Sequence, residues 1–227
     1  QVSVGSEHVC ALSINNSVYC WGENGQGQLG IGTEIDSQIP VKLDLPEGRV
    51  LMISTSYRFT CVVIEYYQGI ACWGTFYYGQ TQHQKWVWDT PTYINSPENR
   101  TIKSISVGFE HLCVITTDGI PHCLGRNGFG QLGFGDESYS ISFVSPQISS
   151  DNLPISSITA GYVHTCAITY QKDVYCWGGA ASGSTSDPTK IIFPDVDSLV
   201  FSIDAGVSHT CAITSNSTLL KSPCAIS

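Results

Sequence analysis

The stretch HVCALSINNSVYCWGENGQGQLGIG, which begins at His8, recurs along the chain, and that recurrence constrains the fold more than any other feature. It returns as HLCVITTDGIPHCLGRNGFGQLGFG from His111 and, more divergent, as HTCAITYQKDVYCWGGAASG from His164. A fourth copy, FTCVVIEYYQGIACWGTFYYGQ from Phe59, has no His at its head, and a fifth, HTCAITSNSTLLKSPCAIS, starts at His209. The leading cysteines Cys10, Cys61, Cys113, Cys166 and Cys211 are 51, 52, 53 and 45 residues apart. A fixed period of this size marks a solenoid, propeller or array, in which each unit buries its apolar face only against its neighbours. The chain reads as one repeat domain, 1–227, with units at about 1–50, 51–101, 102–154, 155–199 and 200–227, the last lacking its second half.

Within a unit the pattern is that of strands. In CALSINNSVYC the apolar residues Ala11, Leu12, Ile14, Val18 and Tyr19 flank Asn15 and Asn16, which predicts two short strands joined by a tight turn. Asp118-Gly119 supplies the same turn in the third unit. A further alternating run precedes each hairpin, such as IKSISVG from Ile102 and ISSITAG from Ile155. The glycine five residues ahead of the leading cysteine (Gly5, Gly108, Gly161 and Gly206, but Ser56 in the second unit) predicts a bend where a side chain would not fit. No window has a helical stripe. Strands in units of 45–53 residues with glycine and aromatic signatures predict an all-β chain, a β-propeller of about five repeats.

These units resemble the regulator of chromosome condensation repeat. Gly5, His8, Ala11, Leu12, Trp21, Gly22 and Gly27-Gln28-Leu29-Gly30 carry the likeness in the first unit. Gly108, His111, Gly125 and Gly130-Gln131-Leu132-Gly133 carry it in the third, and Gly161, His164, Ala167, Trp177 and Gly178 in the fourth. The resemblance covers nearly the whole chain and implies a propeller of four-stranded blades, usually closed with seven. This sequence has fewer units, so the expectation is a small closed ring, a fragment of a longer chain or an open arc, and an arc leaves strand edges and a blade face uncovered.

The ten cysteines come one pair per unit: Cys10/Cys20, Cys61/Cys72, Cys113/Cys123, Cys166/Cys176 and Cys211/Cys224. Each pair brackets a hairpin, so its sulfurs are expected to face each other across adjacent strands as disulfides. Zinc is the competing reading, but structural zinc sites space their ligands two to four residues apart and need four together. A regular, even cysteine set belongs to an oxidising compartment, and the expected location is secreted or extracellular. Asn15, Asn99 and Asn216 head N-glycosylation sequons, with Asn15 and Asn216 both five residues after a leading cysteine. Charged residues at 13% and hydrophobic residues at 42% fit a folded chain. A net charge of -9 disfavours nucleic acid as a partner, and no apolar run approaches the roughly 20 residues of a membrane span.

His8, His111, His164 and His209 share one place in the repeat, which marks them as architectural hydrogen-bonding groups that a ring would hold apart, not as ligands of one metal. No nucleophile elbow, Walker loop or metal-binding helix is present, so no catalytic or metal residue, no cofactor and no enzyme activity are expected. The second unit breaks the pattern with Phe76, Tyr77, Tyr78, Trp86, Trp88 and Tyr93. Aromatics of this density build either an interface for a protein or glycan or a local core in place of the missing His. Two function classes follow. One is a structural propeller that joins other copies head to tail into an extracellular fibre, with Val2 and Val4 in the joint. The other is an extracellular recognition module, of the receptor-ectodomain or inhibitor kind, that binds through Phe76, Tyr77, Tyr78, Trp86 and Trp88.

Overall fold

The computed structural model of the chain describes residues 1–45, 48–65, 69–78, 85–148, 153–180, 183–193, 199–215 and 219–223. Each repeat forms one antiparallel meander, a blade. Blade 1 holds β1 (Val2–Val4), β2 (His8–Leu12), β3 (Val18–Gly22) and β4 (Ser37–Lys42). Blade 2 holds β5 (Val50–Thr55), β6 (Phe59–Ile64), β7 (Gly69–Tyr77) and β8 (Lys85–Asn95). Blade 3 follows with β9 (Ile102–Val107), β10 (His111–Thr116), β11 (Pro121–Gly125) and β12 (Ser140–Val144). Blade 4 has β13 (Ile155–Ala160), β14 (His164–Thr169), β15 (Val174–Ala180) and β16 (Gly183–Ile191). Blade 5 shows β17 (Val200–Ala205), β18 (His209–Thr214) and β19 (Leu219–Pro223).

The core is divided among the junctions. Residues of blade 1 (Cys10, Val18, Cys20, Leu29) and blade 2 (Val50, Ile53, Val62, Trp73) form one buried cluster, and similar clusters lie at the next three junctions. Alternation along β6 or β10 sends one set of side chains to the preceding blade and the other to the following one, so a blade is apolar on both faces. A second tie repeats on the inner strands. The hydroxyls of Ser3, Ser54, Ser106 and Thr159 accept the backbone N–H of Thr55, Val107, Ala160 and Ala205 in the following blade, at 2.9–3.1 Å.

The described residues form an open arc. Val2 and Val4 are 64% and 68% exposed, whereas Ile53 and Thr55, at the same places in blade 2, are 2% and 8% exposed beneath blade 1. At the other end His209 is exposed while His8, His111 and His164 are buried.

Four bridges, Cys10–Cys20, Cys61–Cys72, Cys113–Cys123 and Cys166–Cys176, join directly opposed residues of the second and third strands. All eight sulfurs sit in the junction cores. In blade 5 the register sets Lys221 opposite Cys211. Cys224 itself lies outside the described residues, as does Asn216.

Candidate functional site

At two junctions the repeat motif builds one polar clasp. His8 Nε2 lies 2.8 Å from Thr60 Oγ1 of blade 2, and that hydroxyl donates to the backbone oxygen of Gln28 at 3.3 Å. The indole N–H of Trp73 donates to the same oxygen at 2.9 Å. Blades 3 and 4 repeat the arrangement: His111 Nε2 to Thr165 Oγ1 at 2.9 Å, Thr165 to Gln131 O at 2.8 Å and Trp177 to Gln131 O at 2.9 Å. Because the threonine hydrogen goes to the carbonyl, the imidazole must donate through Nε2 as the neutral tautomer. Burial agrees, holding His8 at about 4, His111 at about 3 and His164 at about 4, well below 6.5. Each imidazole is thus engaged at its own junction, and no group of metal ligands occurs among the described residues.

The Gly-Gln-Leu-Gly loop is shaped to offer that carbonyl. Asn24 Oδ1 accepts from Leu29 N at 2.9 Å while its amide donates to Thr33 O and Ile35 O, and Asn127 does the same for Leu132 N at 2.7 Å. The closing glycine is required twice over: Gly30 has φ +71°, and a Cβ there would lie 2.7 Å from Trp73 Cδ1.

The aromatic second unit turns out to be mainly junction packing. Phe76 is fully buried, 4.7 Å from Phe59 between ring centroids, which corrects its placement at an interface. Phe59 and Phe76 take up the volume that a His and a Gly-Gln-Leu-Gly loop fill elsewhere. Trp86 stacks on Phe76 at 5.7 Å and on Trp88 at 4.9 Å, and Tyr78 lies 5.0 Å from Trp86, all three half-buried against the same cluster. Tyr77 is half-buried at the end of β7. Val2 and Val4 are not brought near this group; they face outward from blade 1.

A different aromatic set is presented to solvent. Tyr57, Phe109 and Tyr162 follow Ser56, Gly108 and Gly161 at the turn from inner strand to hairpin, so the repeat places them side by side around the axis. Ring centroids are 5.1 Å apart for Tyr57 and Phe109 and 4.0 Å for Phe109 and Tyr162, with Arg58 4.8 Å above the Tyr57 ring. Tyr57 and Tyr162 are 40% and 39% exposed. Together with Val4 and Val207 they line an axial cleft of about 380 Å³. The chain approaches closely here, because a Cβ on Gly108 would lie 2.6 Å from Gly161 O. An aromatic at one fixed phase in three consecutive units was the available sequence signal. The spacing of about 50 residues hides it from any local window.

Asn15 is exposed at the tip of the β2–β3 hairpin, and Asn99 is exposed in a short 3-10 turn, Pro97–Asn99. His122, outside the repeat pattern, is buried with Nδ1 3.0 Å from Ser145 Oγ.

Comparison with known families agrees with this architecture. The profile of the regulator of chromosome condensation (RCC1) repeat matches residues 15–63 and 118–168, and a second profile of that repeat matches 1–28, 102–131 and 155–183. The chain belongs to the RCC1 repeat family. It is 29% identical over 185 residues to the ultraviolet-B receptor UVR8 of Arabidopsis thaliana, covering 80% of this chain and 41% of that one. The blades superpose on yeast RCC1 (Prp20), solved with Kap60, with a TM-score of 0.81 at 20% identity, covering 96% of this chain and 54% of that one. The ectodomain of the Physcomitrella patens receptor kinase CR4 gives a TM-score of 0.64 at 20% identity, with 97% and 52% covered. The RCC1 arc thus spans about half the length of these proteins.

Proposed function

We propose that this RCC1 arc is a non-enzymatic binding scaffold of an extracellular protein, and that the mouth formed by Tyr57, Phe109 and Tyr162 receives a glycan or a protein loop. The observation that carries the reading is the contiguous, solvent-facing aromatic row held on rigid blades. Half-exposed tyrosines offer apolar contact and a phenolic hydrogen-bonding group together, the combination that marks binding hot spots. Four bridges buried in the junctions and exposed sequons at Asn15 and Asn99 support an oxidising, glycosylating route, and the likeness to a receptor ectodomain is in keeping with it. The test is binding of the intact chain and of a Tyr57→Ala/Tyr162→Ala variant to a glycan array and a panel of extracellular proteins. Binding that the double variant loses supports the mouth as the site; equal binding by both chains removes it.

A structural element that assembles with copies of itself is the second reading, supported by the bare face at Val2 and Val4. Size-exclusion chromatography and negative-stain imaging of native material separate the two: fibres favour the second, monodisperse particles the first.

A further inference from the structure

The outer strand of blade 3 lacks a residue that blunts the other outer strands. In β4, β8 and β16 a proline stands just before the residue paired with the second bridge cysteine: Pro40 before Val41, Pro91 before Thr92 and Pro188 before Thr189. In β12 that place, before Val144, belongs to Phe143. The ladder shows what the proline removes. Leu43 N donates to Val18 O at 2.9 Å, so two residues earlier Val41 also bonds inward, to Cys20, and by antiparallel alternation Pro40 and Lys42 turn their backbone groups outward. A proline there breaks no bond within the blade and denies a donor to any further strand, a common protection of sheet edges. β12 keeps the same register without it. Phe143 and Ser145 therefore present N–H and C=O groups outward, and no described strand pairs with them. Charge does not guard the edge either: residues 138–148 contain no Asp, Glu, Lys or Arg, and Ile141 is 57% exposed.

Beside this edge a cavity of about 540 Å³ opens between the end of β8 and β12. Ser96 and His122 line it, 5% and 3% exposed, and each holds a buried polar atom, Ser96 Oγ and His122 Nε2, with no partner among the described residues. The other ring nitrogen of His122 is already engaged with Ser145 Oγ at 3.0 Å. Burial holds the ring neutral, so the cavity has no imidazolium to attract a carboxylate. We propose that the β12 edge binds an extended peptide, which adds to blade 3 as a fifth strand. Its side chain opposite Phe143 is apolar, and the one opposite Ser145, above the cavity, is an uncharged hydrogen-bonding group of the Asn, Gln, Ser or Thr kind. A second copy of this chain is a poor occupant. Antiparallel pairing of β12 with itself sets Phe143 or Ile141 against Ser145, an apolar side chain over unpaired polar atoms. Matching Ser145 to Ser145 instead would draw in Gln147, whose N–H is already given to Gly133 O at 2.9 Å.

The experiment pans a random peptide display library against the full chain carrying Tyr57→Ala and Tyr162→Ala, so that ligands of the aromatic mouth do not contribute and the two sites fail separately. Enriched peptides should place an apolar residue and an Asn, Gln, Ser or Thr two positions apart, the spacing of one strand face. Their affinity, read by fluorescence anisotropy, should fall roughly tenfold or more in Phe143→Pro, which installs the residue that three sister blades carry at that place. Phe143→Leu, which keeps the N–H, should retain most of the binding. Backbone N-methylation of the peptide at alternate residues should abolish it, an arm that does not depend on any variant folding. His122→Phe combined with Ser96→Ala should remove the preference for the polar residue. A library that enriches nothing, or binding indifferent to both Phe143→Pro and N-methylation, would overturn the proposal. So would sedimentation showing dimers of the unaltered chain that Phe143→Pro dissolves, because a second copy would then be the occupant.

Discussion

Phe59 and Leu112 meet across the junction of blades 2 and 3 at the positions that His and Thr hold at the other three junctions, and both are fully buried. The polar pair has been replaced as a unit, which avoids leaving a donor without an acceptor in the core. Phe59→His alone should therefore cost about 1–3 kcal/mol, the penalty of an unsatisfied buried polar group. Adding Leu112→Thr supplies a hydroxyl to the ring and should recover part of that loss. A double-mutant cycle read by urea unfolding would show a favourable coupling of roughly 0.5–3 kcal/mol; strictly additive effects would rule out the matched-pair account.

Acid should weaken the arc in a defined window. The folded pKa values of His8, His111 and His164 lie at about 4, 3 and 4, below the unfolded 6.5, so the unfolded chain binds protons first as pH falls. Stability is complete above pH 6.5 and declines as pH drops toward 4, by about 1.4 kcal/mol per histidine per pH unit at most. His122, lowered by burial, adds with the same sign. Replacing His111 by Gln keeps a donor near Thr165 and removes one titrating group, so a plot of unfolding free energy against pH should become shallower. An unchanged slope would mean that these rings do not govern acid lability.

Gly30 tests the loop. With φ +71° and Trp73 Cδ1 2.7 Å from where a Cβ would stand, Gly30→Ala must strain the backbone and push the indole off the Gln28 carbonyl. The expected cost is on the order of 2 kcal/mol, with a red shift of Trp73 emission. Gly25→Ala, where a Cβ would meet only the tip of Glu23, is the neutral control.

Much of this was legible in the sequence because the repeat is local in its chemistry. A ten-residue spacing around a short turn fixes which cysteines face each other, and a histidine in constant phase declares itself structural. What local reading could not supply was the partner across the junction, about 50 residues away in the next unit. For that reason Phe76 read equally as interface or local core until the fold placed it in the core, and Tyr57, Phe109 and Tyr162 did not read as a row.

The bridges should be strong but unequal in their resistance to reduction. Each of the four closes a loop of 10 or 11 residues, worth up to about 3 kcal/mol by the chain-entropy estimate. A thiolate must reach a sulfur to attack it, and seven of the eight bridged cysteines are fully buried, Cys176 alone retaining 5% exposure. Dithiothreitol in native buffer should therefore open Cys166–Cys176 first, at the junction next to the bare end of the arc, and the others only as fast as their junctions come apart. Timed alkylation with peptide mapping reads the order directly. Simultaneous loss of all four bridges would mean that the arc opens as a single cooperative unit; a bridge between cysteines of different blades would contradict the pairing itself.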